Sequence, residues 1–454
     1  MGILCLRCRN KGKNIAPKQM LMKRQLTTAA LAALTLAGTN AVAAGTGGST
    51  SVAEKIAPAA EDGGLKLRFG EKGGQLKITG YLQAQWQLAQ QKGIDAFGDG
   101  GSFGENSDNR FMLRRGRVKF TYDLGVMQVV FQPDFSEKGV KVRDAYIKLT
   151  APSQVIGGQV GIFDRPFGYE IGYSSSYRET PERSRVYLSL FPNERDLGAM
   201  LSLSGRKGTF MSRFMLNGGL FNGNGVGEET DSRKDFIGRL AYLHTYETGE
   251  WGAAFSYYNG GVLNPVNEKY KFVKDRGFVK QEGVQGEYSK RQYFGFAAQV
   301  SQQWAAGTTH VRAEYLWGKQ LGTQNKNADP GGTSFGAGSD PLYLRSFRGA
   351  YVYFIQDIGK SKHSLVFKYD NYDPNTKIGA DRIGRLPGTG AADVAYNTYG
   401  VGYMFRWNKY LTLSAYYDMV SNEKCPGLAN DNPLKDYARN IKDNVLTLRI
   451  QAKF

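Results

Sequence analysis

Sustained alternation of apolar and polar residues is the feature that most constrains this chain. In "QLKITGYLQAQWQLA" (75–89), Leu76, Ile78, Leu82, Ala84, Trp86 and Leu88 share one face. Lys77, Thr79, Tyr81, Gln83, Gln85 and Gln87 share the other. A period of two is the side-chain period of an extended strand. The closing "NVLTLRIQAKF" repeats it, with Leu446, Leu448, Ile450, Ala452 and Phe454 alternating against Val445, Thr447, Arg449, Gln451 and Lys453. Strands this long with one wholly apolar face suit half of a sandwich or the wall of a membrane barrel.

The connections separate those two folds. About sixteen strands are predicted, near 75–89, 110–123, 126–135, 139–150, 155–163, 196–205, 208–221, 232–246, 250–259, 289–303, 308–320, 341–356, 362–372, 394–407, 409–421 and 443–454. Short connections such as "DLG" (123–125), "YETGE" (246–250) and "WNK" (407–409) alternate with long ones at 90–109, 164–195, 222–231, 260–288, 321–340, 373–393 and 422–442. Only Ser136–Lys138 is short where a long connection is due. An up-and-down barrel with tight turns at one end and long loops at the other gives this pattern, and a sandwich gives no reason for it. The expected fold is all-β: a transmembrane antiparallel barrel, with a long loop folding inward after the fifth strand.

Composition agrees. Glycine is abundant (58), proline scarce (14) and aromatics reach 13%. Mean hydropathy is −0.43, and no apolar run after the N-terminal region is long enough for a membrane helix. Residues 1–44 read as an export signal: Lys23 and Arg24 precede "LTTAALAALTLAG", and "AVAA" (41–44) offers small residues for cleavage, with Met20 and Met22 as alternative starts. Residues 45–74 read as a flexible periplasmic lead-in and 75–454 as the barrel. Residues 1–44 hold seven basic residues and no acid, which takes the formal charge from +18 to +11 for the remainder. An exported chain has no nucleic-acid partner, so the excess serves a surface, a ligand or a pore. Cys5 and Cys8 form an isolated CxxC ahead of the expected cleavage, and Cys425 is the one cysteine beyond it. No metal or cofactor is expected.

Within a barrel, the polar faces become a lumen wall. Strand two, "RFMLRRGRVKFTYDLG", puts Arg115, Arg117 and Lys119 inside opposite Val118, Phe120 and Tyr122, while Met112 and Arg114 fall on the nominal outer face. Arg213, Arg239 and Arg449 are placed inward by the same reasoning, as are Arg312 with Glu314 and Lys368 with Asp370. The long loop adds Arg165, Arg178, Arg183, Arg185 and Arg195, interleaved with Tyr169, Tyr173, Tyr177 and Tyr187. Guanidinium groups fixed at a constriction lower the cost for an anion leaving water. The same stretch carries Glu170, Glu179, Glu182, Glu194 and Asp196, so each arginine has two readings: a selectivity group or half of a structural pair. The expectation is an anion path through Arg115, Arg117, Lys119, Arg165, Arg178, Arg183, Arg185, Arg213, Arg239 and Arg449.

The segments "RFMLRRGRVKFTYDLG", "QPDF" with "VRDAYIKL", "GIFDRPFGYE" followed by "ERS", "ERDLGAML", "FNGNG", "AEYLWGKQ", "FRGAYV" and "KYDNYDPNT" together resemble the phosphate-selective porin O and P family. The resemblance implies a homotrimer of sixteen-stranded barrels in the bacterial outer membrane, passing small anions, phosphate among the candidates. A terminal strand ending in Phe454 resembles the signal read by the barrel-assembly machinery. Two rival readings stand beside it: a barrel enzyme, for which His244, His310 and His363 look too dispersed to form a Ser–His–acid set, and an adhesion or structural barrel.

Overall fold

The computed structural model describes residues 63–69, 73–98, 100–229, 231–327 and 340–454. The expected export signal lies outside them. Among the described residues the chain forms nineteen strands. They run β1 (Leu65–Arg68), β2 (Gln75–Ala89), β3 (Asn109–Asp123), β4 (Met127–Ser136), β5 (Gly139–Thr150), β6 (Ile156–Asp164), β7 (Arg195–Ser204), β8 (Phe214–Phe221), β9 (Asp235–Tyr246) and β10 (Gly249–Leu263). They continue with β11 (Glu268–Val273), β12 (Gly277–Glu282), β13 (Tyr288–Trp304), β14 (Gly307–Gly322), β15 (Leu342–Asp357), β16 (His363–Asp373), β17 (Tyr396–Arg406), β18 (Leu411–Asn422) and β19 (Val445–Lys453).

Sixteen of these close a barrel. Each of β2 to β10 and β13 to β19 pairs antiparallel with its neighbours, and β19 returns to β2 with Val445 opposite Ala89 and Lys453 opposite Tyr81. Closure leaves these sixteen strands without an unpaired edge. Three strands were not foreseen. β1 is a short exposed strand against β2, within the stretch expected as a lead-in. β11 and β12 form a hairpin inside the long connection 260–288, and β11 runs parallel to β15 at Leu342–Leu344.

Burial is inverted relative to a water-soluble sheet. Val160, Leu201, Phe296 and Phe255 are 63%, 65%, 50% and 46% exposed on the outside, whereas Gln83, Gln87 and Arg115 are buried inside. An apolar band turned outward suits hydrocarbon, and polar groups turned inward are satisfied by one another.

Two departures from alternation matter for the interior. Between β2 and β3 the register moves from Gln83 opposite Arg115 to Ala84 opposite Leu113, so Arg114 is an extra residue in a bulge. A bulge lets neighbouring side chains face the same way. Met112 and Arg114 therefore turn inward, correcting their expected outward placement. Gln85 donates to Met112 Sδ at 3.1 Å, and Phe111 takes the outside at 86% exposure. The same device recurs where Gln132 faces Asp144 and Pro133 faces Val142, leaving Arg143 as the extra residue. Arg143 and Asp144 are both buried inside.

Candidate functional site

Residues 165–194 connect β6 to β7 and engage both sides of the lumen. One side is apolar and aromatic. The short helix α1 (Arg185–Leu190) buries Val186, Tyr187 and Leu190, which join Phe167, Ile171 and Phe191 against Tyr258, Tyr293, Leu316, Phe347, Tyr351 and Tyr353 of the wall. Gly349 on β15 leaves the space that Val186 occupies. Fully burying such side chains stabilises by roughly 1.5–3 kcal/mol each. Glu314 of β14 accepts the backbone N–H groups of Tyr169 (3.0 Å) and Glu170 (2.8 Å) and the hydroxyls of Tyr187 (2.6 Å) and Tyr351. Glu170 accepts from the Tyr353 hydroxyl and from Ser184 Oγ at 2.6 Å.

The other side is ionic. Glu182 is gripped by Arg114 (2.6 and 2.8 Å), by Arg115 (2.8 Å) and more loosely by Arg449 (3.7 Å). The bulge makes this possible by aiming two consecutive arginines at one carboxylate. Glu194 is the second hub, contacted by Arg143, Arg183 and, at 3.0 Å, Arg195. Ser175 ties the loop tip to β2, with its hydroxyl 2.6 Å from Tyr81 and its carbonyl accepting from Gln83 at 2.9 Å.

The wall also holds Arg117 with Asp134 at 2.7 Å, and Arg195 with Asp144 at 3.1 Å and Asp164 at 3.0 Å. Counted with the two hubs, Arg114, Arg115, Arg117, Arg143, Arg183, Arg195 and Arg449 face Glu182, Glu194, Asp134, Asp144 and Asp164. Arginines outnumber carboxylates on this side before Arg178 is added.

Two loop arginines, Arg178 and Arg185, have no ion pair among the described residues; Arg185 stacks on rings, and Arg178 is the more deeply enclosed. Its side chain is buried, and its one side-chain contact to a hydrogen-bond acceptor is the Tyr173 carbonyl at 3.5 Å; Nε and Nη1 have no partner. No carboxylate lies within ion-pair reach of it among the described residues. Arg115 and Arg183 are close enough to repel it. A buried guanidinium without a counter-charge is costly unless something anionic visits it.

The remaining expected residues are spread more widely. Arg165 is buried, donating to the Arg195 carbonyl at 2.8 Å with Asp196 at 3.6 Å. Arg185 stacks between Phe97 (4.3 Å) and Tyr396 (3.9 Å). Arg213 lies in a 3-10 turn (Phe210–Arg213) before β8, 5.4 Å over the Phe210 ring, which corrects the strand expected from 208. Lys119 and Arg239 line a cavity of about 280 Å³ on the short-turn side of the loop, with Asp144, Asp164 and Tyr169 also on its walls. A smaller cavity of about 30 Å³ on the long-loop side is lined by Arg183, Arg185, Lys368, Glu182 and Asp418. Arg114 and Arg143 were missed as lumen groups. The signal was there in "RR" and "RD", where the apolar phase switches parity.

The loop carboxylates set a pH expectation. Burial alone would raise Glu182, but Arg114, Arg115 and Arg449 outweigh it and hold the carboxyl well below the usual range. Glu194 is held low against its own burial by Arg183, Arg143 and Arg195. Depressed carboxylates favour the docked loop fully above the ordinary value of about 4.3, and the stabilisation disappears only as pH falls through the lowered value. With Glu314 replaced by Gln, so that the buried carboxylate on the aromatic side of the loop does not titrate, conductance and reversal potential should therefore stay flat from about pH 8 down to about pH 4.5. A transition within that window, read in planar bilayers, would contradict the hubs.

A closed sixteen-stranded barrel with a long connection bound inside its lumen is the architecture of outer-membrane porins, and that is the class of fold this chain has. No protein-family model matches the chain, and no curated protein matches it. Among solved structures, the anion-selective porin from Comamonas acidovorans is similar with a TM-score of 0.51 and 11% identity over 84% of this chain and 100% of that one. Salmonella typhi OmpF, solved in complex with daunomycin, gives a TM-score of 0.51 and 11% identity over 86% of this chain and 100% of that one.

Proposed function

We propose that this protein is a porin of the bacterial outer membrane that passes small anions and polar solutes by passive diffusion. The observation that carries the reading is the surplus of guanidinium groups over carboxylates where the loop meets β2, β3, β5, β7 and β19, with Arg178 left unpaired. The shared fold with an anion-selective porin supports it. Phosphate is one candidate solute, since arginine presents several donors to an oxyanion. A homotrimer, as the family resemblance implies, belongs to the same reading, together with export by residues 1–44 and insertion through the strand ending at Phe454. Single-channel current under a KCl gradient tests it, repeated with added phosphate. The expected reversal potential indicates chloride over potassium, and cation preference would overturn the proposal.

One observation speaks for an enzyme. His310 Nδ1 lies 2.8 Å from Ser301 Oγ and its Nε2 3.4 Å from Asp357 Oδ2, closer together than the sequence suggested. The set is incomplete as a catalyst. Ser301 lies in ladder pairing with Glu250 on one side and His310 on the other, so its backbone offers no free N–H pair for an oxyanion. Asp357 is also engaged by Ser364 and by Arg406 at 3.1 Å. The arrangement reads as a polar network at the short-turn end of the lumen.

A further inference from the structure

The barrel turns three basic side chains outward, and they lie together. Along β13 the buried Arg291 and Ser289 mark the inward phase, which leaves Lys290 outside and exposed. Lys319 on β14 is exposed in the phase of Tyr315 and Trp317. Arg348 on β15 is outward and 58% exposed. The other basic side chains of these strands and their neighbour, Arg291, Arg312, Arg345 and Lys368, turn to the lumen.

The three sit on consecutive strands near the long-loop end. Gln292 is opposite Lys319, and Trp317 is opposite Arg348, so Lys290, Lys319 and Arg348 are diagonal neighbours. Diagonal side chains on adjacent strands lie roughly 7–8 Å apart. Immediately below them, toward the middle of the barrel, is an aromatic group in which Phe294 and Tyr315 stand 5.6 and 5.4 Å from Trp317. Aromatic rings mark the level where hydrocarbon gives way to headgroups, and basic residues just beyond them meet lipid phosphates. One carboxylate shares the patch: Asp373 is 3.3 Å from Arg348. Lys290 and Lys319 have no acidic partner within reach among the described residues.

We infer that Lys290, Lys319 and Arg348 form an outward-facing site for the phosphate-bearing headgroup of an anionic lipid in the leaflet on the long-loop side. A basic side chain at mid-depth would be expelled by hydrocarbon, and one scattered in water would show no preference for three neighbouring strands. Here the guanidinium and ammonium groups are spaced to share one or two phosphates while the acyl chains lie on Phe294, Trp317 and Val352. The inference needs the barrel to lie in a membrane and is independent of conduction, so a barrel that passes no current would still bind the lipid.

Native mass spectrometry of the full, detergent-solubilised protein tests it. The probes are phosphatidylglycerol, phosphatidylcholine as the zwitterionic control, and inorganic phosphate as competitor. The unaltered protein should retain phosphatidylglycerol about tenfold more than phosphatidylcholine, and millimolar phosphate should not displace it. Replacement of all three residues (Lys290→Ala, Lys319→Ala, Arg348→Ala) should bring the two lipids level. The charge-keeping variant Lys290→Arg with Lys319→Arg should restore the preference in a barrel that folds equally well. Unchanged retention in the alanine variant, equal retention of both lipids by the unaltered protein, or displacement by free phosphate would overturn the inference.

Discussion

Glu182→Gln should open the lumen and sharpen its anion preference together. Removing that charge leaves Arg114, Arg115 and Arg449 buried around a neutral amide. Breaking one side of a buried ionic cluster costs about 3–5 kcal/mol because the remaining charges stay desolvated. The cost falls on the docked loop rather than on the barrel, since the sixteen strands keep every ladder pairing. The aromatic side of the loop, built on Val186, Tyr187 and Leu190, should hold. The segment around Ser175 to Arg183 should then leave the arginine wall, water should enter, and single-channel conductance should rise severalfold. The freed arginines should move the reversal potential further toward chloride. Glu229→Gln, which weakens a half-exposed cluster with Lys234, Asn224 and the Asp231 N–H away from both hubs, should change neither quantity. Unchanged conductance in Glu182→Gln would mean that the hub does not hold the loop.

Arg178→Met should act in the opposite sense on selectivity and leave conductance nearly unchanged. Arg115 and Arg183 each serve two purposes, a fixed charge and a bond to a loop glutamate, so substituting either alters field and structure at once. Arg178 has no acidic partner to release. A unit charge about 6 Å from a solute path, at an effective dielectric of about 20, is worth roughly 2–3 kcal/mol before salt screens it. The chloride-to-potassium permeability ratio should therefore fall by up to ~10-fold at low salt and less at high salt. A fall of the same size at every ionic strength would point to a changed pore shape. No fall would place the selective groups elsewhere on the wall, with Lys119 and Arg239 next to be tested.

The strands were legible because their signal is local. Gln75–Ala89 and Gly139–Thr150 form as the alternation predicts, and the other barrel strands shift by a few residues at their ends. Where a turn replaced part of a strand, as at Phe210–Arg213, two apolar residues are followed by two polar ones, and ladder pairing begins only at Phe214. The β11–β12 hairpin was hidden for the reverse reason. "EKYKFV" and "GFVKQE" alternate over only six residues each and gain their order from the Tyr270–Tyr343 stack, a partner far along the chain.

The candidate site was half legible. Arg115, Arg117 and Arg449 could be assigned to the lumen because side-chain phase follows from the strand. Arg114 and Arg143 were harder, because a bulge inverts phase on one side of itself: the parity of the apolar residues switches along each strand, but which residue is the extra one shows only once a partner strand is in register.

By itself, the sequence determined a closed antiparallel barrel of sixteen strands, an apolar outside, a polar inside and a long connection rich in arginine and glutamate. These follow from periodicity and spacing along single segments. Only the tertiary structure decided which charges neutralise one another. The contacts that do so join residues with no local relation, as between Glu182 and Arg449 or between Glu170 and Tyr353. An ion pair depends on a few ångströms of separation after the loop has folded in, and no pattern along one strand encodes that distance.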